Sequence, residues 1–201
     1  MGWPRPQSSQ QLRSASDLMR RNWSGNGAKR NIWSRKEDGT VKLSVEQLLE
    51  IAQFSFVRMD GAWFMALAGK LGRETAWDMD VDAWTRFSYV FGKKIRKDII
   101  PDPVWPESFL EMLEIFSKVL KIEGREVIVE SDTITVRVTD CETQKAIAKA
   151  GIADCGIVTV QTYEGMIRGL FGKEMGVSVQ HTKNLNQGDA CCEVILSRKT
   201  R

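Results

Sequence analysis

The residues of this chain best equipped for chemistry are its four cysteines, all in the last third: Cys141, Cys155, Cys191 and Cys192. Asp140 precedes Cys141 as a cap for a helix, and Cys155 opens a second helical segment after Asp154. A helix N-terminus presents unpaired N–H groups and a partial positive charge. Both stabilise a thiolate, so both cysteines are expected to have lowered pKa values. Thiolates bind metals and attack electrophilic carbon. Cys191 and Cys192 are neighbours in a strand, where side chains alternate faces, so only one can join a regular site with the others. There is no CxxC pair, and the spacing is not that of a zinc finger. The same cysteines also read as small buried hydrophobes. His181 is the single histidine. It is the natural fourth ligand or general base near neutral pH, or else a satisfied residue at a strand end.

Two acidic segments invite scrutiny. Asp78, Asp80 and Asp82 fail as a calcium loop, because Ala83 stands where glycine is needed and Tyr89 where glutamate is. They read as cap and surface carboxylates. Asp60 and Gly61 interrupt a strong helical pattern, each at about 1 kcal/mol by propensity. That points to a close backbone approach, a polar contact or a packing glycine.

The elements that must hold these residues follow from periodicity. Ser44 with Gln47 makes a capping box. Leu48, Leu49, Ala52, Phe56, Met59, Trp63, Phe64 and Leu67 then recur at three- and four-residue spacing, predicting a long helix that stops near Gly72. A short helix over 73–78 follows. Asp80 is expected to cap the next, with Val81, Trp84, Phe87, Val90 and Ile95 inward. Pro106 suits the first turn of a third long helix, ended by Gly124. From Arg125 the period becomes two, predicting strands over 127–130 and 133–139. Helices over 140–150 and 155–171 are closed by Gly151 and Gly172. Strands follow near Met175–Val179 and over 191–197. The fold class is α+β: three long N-terminal helices, then a four-stranded antiparallel sheet in ββ-αα-ββ order.

Residues 1–40 carry eight Lys/Arg against three acidic residues, leaving the rest slightly acidic despite a net charge of +3. They read as a basic, disordered tail, either an arm for a partner or an unimportant extension. A helical subdomain over 41–124 and an α+β, cysteine-containing subdomain over 125–201 are expected to form one compact domain. The folded body offers no nucleic-acid footprint, no membrane-length apolar run and no signal peptide. Unevenly spaced cysteines indicate a reducing, cytoplasmic setting.

Three segments together resemble a family: DGAWF at 60–64 with ETAW at 74–77, CETQKA at 141–146 with Cys155 downstream, and GDACCE at 188–193. They look like the L-2-amino-thiazoline-4-carboxylic acid hydrolase family and its cytosolic relatives, similar in fold to vinyl-reductase-type small-molecule-binding domains. In that family a Gly-Asp-x-x-Cys-acidic segment is typical. It maps to Gly188, Asp189, Cys192 and Glu193, which selects Cys192 over Cys191. The resemblance implies hydrolysis of a C–N bond in a small cyclic amidine. Cys155 or Cys192 would be the nucleophile, and His181 or Asp189 would shuttle protons. Asp60 would orient a ligand beside Trp63, Phe64 and Trp84. Its alternative implication is a non-catalytic binding or sensor domain with a structural zinc on Cys141, Cys155 and Cys192. Either way the partner is a small molecule, and a homo-oligomer is compatible.

Overall fold

The computed structural model describes residues 34–35, 41–122 and 124–199. The tail expected over 1–40 otherwise lies outside the described residues. The chain divides into two units, Met1–Glu46 and Gln47–Arg201. In the first, β1 (Ser34–Arg35) pairs antiparallel with β2 (Val41–Lys42).

The second unit is α+β, with five helices and a four-stranded antiparallel sheet among the described residues. Helix α1 (Val45–Leu71) starts in the first unit and runs into the second. Next come α2 (Arg73–Asp98), α3 (Glu107–Leu120), β3 (Arg125–Glu130) and β4 (Thr133–Val138). Then follow α4 (Glu142–Lys149), α5 (Gly156–Phe171), β5 (Val177–Lys183), a 3-10 turn (Leu185–Gln187) and β6 (Cys192–Arg198). The sheet order is β3-β4-β6-β5.

Gly72 at φ +88 separates α1 from α2, as expected of a glycine that ends a helix. Where a short helix and a fresh start at Asp80 were expected, α2 is one continuous helix. Asp80 therefore sits mid-helix and caps nothing. Nothing between Arg73 and Asp98 breaks the backbone, and no proline interrupts it. Helix α3 ends at Lys121, which adopts the left-handed conformation with its N–H on the Ser117 carbonyl, three residues before Gly124. The cap of α4 is Cys141, not Asp140: its sulfur accepts the Gln144 N–H at 3.3 Å.

The core joins α2, α3 and α5 to one sheet face through Ile95, Phe109, Met112, Leu113, Phe116, Ile134, Val136, Met166, Leu170, Val194 and Leu196. Register places Ile134 opposite Leu196, Val136 opposite Val194 and Val138 opposite Cys192. Cys192 thus occupies the end of the core face.

At the crossing of α2 and α5, backbone meets backbone. A Cβ on Gly92 would stand 2.5 Å from the Met166 carbonyl oxygen and 3.0 Å from the Leu170 nitrogen. A Cβ on Gly169 would run into the Tyr89 carbonyl and lie 2.9 Å from the Lys93 nitrogen, and one on Gly165 would strike Ser88. Ser88 is itself fully buried. Two small-x-x-x-small pairs, Ser88/Gly92 and Gly165/Gly169, interlock here. Because the obstructing atoms are backbone, the crossing cannot yield locally. Gly169→Ala should destabilise the fold by about 1–3 kcal/mol, the range for forced overpacking, read as a lowered midpoint in denaturant titration.

Candidate functional site

Three cysteines gather around the turn at Asn184–Asn186, beyond β5. The Cys155 thiol donates to Asn184 Oδ1 at 3.7 Å, and Cys192 lies beside it. The Leu185 N–H points to the Cys192 sulfur at 3.5 Å. Cys141 is tied in through Gln144, whose side-chain amide donates to Asn186 Oδ1.

Asn184 is the hub. It is 3% exposed. Its Nδ2 donates to Asp154 Oδ1 at 2.6 Å, its N–H donates to Asp189 Oδ2 at 2.7 Å, and its Oδ1 accepts the Asn186 N–H at 2.9 Å. Asp154 Oδ1 also accepts the Gly156 N–H at 2.7 Å, which joins the hub to the first turn of α5. Gly188, at φ +92, closes the turn. The motif at 188–193 thus has a physical reading: Gly188 turns the chain, Asp189 pins Asn184, and Cys192 enters the thiol cluster. Glu193 anchors the sheet. Its carboxylate accepts Arg137 Nε at 2.6 Å, Thr182 Oγ1 at 2.9 Å and Lys183 Nζ at 3.1 Å, and these partners pull its pKa down to about 2.

The ionisation differs from expectation. The hydrogen bond from Cys155, assisted by His181 and the Leu185 N–H, holds Cys192 well below the usual thiol range. Cys155 is pushed up by that same bond and by burial, so it keeps its proton. Burial also raises Cys141, against the weaker pull of the Gln144 N–H. The two helix-start cysteines are therefore thiols, and the thiolate belongs to the strand. Desolvation and a neighbouring thiolate outweigh the helix dipole. Cys191 is buried outside this cluster.

His181 sits opposite Val194 in the sheet, with its ring against Gly156; a Cβ there would meet Nδ1 at 2.7 Å. Its Nε2 is buried without a hydrogen-bond partner among the described residues. His181 also lines an open cleft of about 590 Å³. Ile157, Val160 and Val179 contribute apolar surface to this cleft, and Asp154, Gln180, Lys183 and Asn184 contribute polar groups. The donor set of three cysteines and a histidine has zinc's chemistry. Among the described residues, however, no group of three or more His, Cys, Asp or Glu is spaced to hold a metal ion.

The other expected site residues lie on the α1–α2 hairpin and are not among the residues lining that cleft. Asp60 accepts a hydrogen bond from Trp84 and neighbours Asp80. Phe64 is buried with its ring 6.5 Å from that of Trp77, whereas Trp63 is 65% exposed. The polar contact anticipated at Asp60 is therefore present, but among the described residues nothing beyond Gly61's own stretch of helix comes within 4 Å of a Cβ there. Asp154 and Asn184 were missed as site residues; the Asn-Leu-Asn-Gln-Gly-Asp run, rich in turn formers, was the signal.

Fold and site define an α+β domain with a thiol cluster at one end of an antiparallel sheet. The chain belongs to a family of unknown function (DUF6125), whose model matches residues 40–176. That match names no activity, leaves out the 188–193 motif, and does not confirm the hydrolase family that the motifs resemble. No curated protein matches. Among solved structures, the phenol-responsive sensory domain of the transcription activator PoxR, crystallised with phenol, is similar at 12% identity. The likeness covers 95% of this chain and 91% of that one, with a TM-score of 0.47, and it carries no functional argument. No helix among the described residues is long and apolar enough to cross a membrane.

Two outcomes follow. Iodoacetamide should label one thiol quickly, at a rate that stays level as pH falls below neutral, where an ordinary thiol slows about tenfold per unit. Mass spectrometry should locate the label on Cys192, and Cys192→Ser should remove the fast phase. On α2, burial and then the Asp60 charge raise Asp80 from 3.8 to about 6. The folded state binds the extra proton, so this group's contribution to stability declines as pH rises across that window and is level above it. Asp80→Asn should flatten that decline and raise the melting temperature at neutral pH.

Proposed function

We propose that this chain is a small-molecule-binding domain whose ligand lies in the cleft beside β5, with His181 as the wall between ligand and thiol cluster. One observation carries the reading: His181 lines the cleft with its ring against Gly156 at the start of α5, whereas neither Cys155 nor Cys192 lines it. A nucleophile must reach the reacting atom, and a thiolate outside the cleft lining does not meet a ligand held in the cleft. The cleft volume falls within the range of small-ligand sites. Its lining suits a compact molecule with an apolar body and a few hydrogen-bonding groups.

The hydrolase reading is the competitor. It requires a ligand carbon against the Cys192 sulfur and a free proton shuttle. Asp189, one of the two expected shuttles, already accepts the Asn184 N–H.

Because the chain has one histidine, its imidazole gives a single reporter in 1H–15N spectra. Small neutral and acidic heterocycles, 2-amino-thiazoline-4-carboxylate among them, should shift that signal at saturating concentration without being consumed. Val160→Trp, which fills the cleft, should abolish the shift. Release of a carbamoyl-cysteine product, lost in Cys192→Ser, would overturn the binding reading in favour of catalysis. Zinc is a second reading, favoured by the unpartnered Nε2 of His181. It would show as about one zinc per purified chain, with the cysteines silent to iodoacetamide until chelation.

A further inference from the structure

Helix α1 is 27 residues long, and Phe64 is its one buried residue. Its inward side touches α2 through Phe56, against Trp84 and Phe87, and through Phe64, against Trp77. Most of its other apolar side chains are uncovered by the described residues: Leu48 is 57% exposed, Phe54 60%, Met59 69%, Trp63 65% and Met65 62%. Summed along the helix, the exposed apolar side chains present on the order of 1,000 Å². Monomeric soluble proteins rarely leave more than a few hundred Å² in one patch, whereas each partner of a stable dimer contributes roughly 800 Å². The helix is not of membrane-spanning character.

We propose that α1 is the interface of a two-fold homodimer, laid antiparallel against α1 of a second copy. Three features favour a second copy over another partner. The area matches what each half of an apolar homodimer interface supplies. A two-fold axis lets one surface satisfy itself, the commonest arrangement among soluble oligomers. The charges are complementary at the two ends, with Glu46 and Glu50 near the start and Lys70 and Arg73 at and just past the end; between them lie Arg58, stacked on the Phe54 ring at 5.4 Å, and Asp60. An antiparallel copy brings acidic start to basic end. Asp60 is engaged by α2, and Ala62, Ala66 and Gly69 add little bulk to the exposed surface.

Sedimentation velocity on the full chain tests this. Wild type should run at twice the 22.8 kDa chain mass. Phe54→Glu with Met65→Glu, two exposed positions about 20° apart around the helix, should run as a monomer. Its far-UV circular dichroism and its Cys192 alkylation should match wild type, showing that the body still folds. A monomeric wild type overturns the proposal. If the double variant then exposes residues 1–33 to protease, that segment is the occupant instead. A dimer that survives the double substitution also overturns it, since the interface then lies elsewhere.

Discussion

The contact on which the rest depends is the crossing of α2 and α5, where Ser88, Gly92, Gly165 and Gly169 let two backbones touch. No side-chain layer separates the helices there, so α5 has one depth and one register. That placement carries the start of α5, with Cys155 and Gly156, to the end of β6 where Cys192 begins. Gly156 repeats the logic on a smaller scale: the missing Cβ is the space taken by the His181 ring. The site is therefore a product of close backbone packing as much as of its reactive groups.

Around that frame runs a chain of polar contacts. Asp154 joins the first turn of α5 to Asn184, and Asn184 joins the turn to Asp189. Two sulfurs divide one proton unevenly across it. The cysteine with a helix behind it keeps the proton, because the neighbouring Cys192 and burial both disfavour its charge. The cysteine on the strand, given three donors, becomes the anion. A helix dipole is a modest local effect, and a donated hydrogen bond in a desolvated site exceeds it.

Much of this was legible in the residues. The period-3.6 stripes located the helices, and the alternation of Ile134, Val136 and Val138 identified a strand with one buried face. Alternation said that only one of Cys191 and Cys192 could join the site, and the register puts Cys192 on the face of Val194 and Leu196. What escaped reading depends on partners distant in sequence. The Asp80 carboxylate looked like a cap because local propensity cannot see that α2 packs along its length. Ser88/Gly92 and Gly165/Gly169 are plain four-residue spacings, but each means something only once the other faces it. The order of thiol acidities required knowing which sulfur lies beside which.

Thr182 is an extra residue in β5: His181 pairs with Val194, and Lys183 pairs with the very next position, Glu193. In a regular strand His181 and Lys183 would share a face. The bulge instead sends the imidazole inward to the thiols and the ammonium outward to Glu193. The segment therefore counts parity. Side chains there can be exchanged one for another, but a regular strand of the same length would put either the histidine or the lysine on the wrong side of the sheet. Chain length at this point is as much a part of the site as the residues themselves.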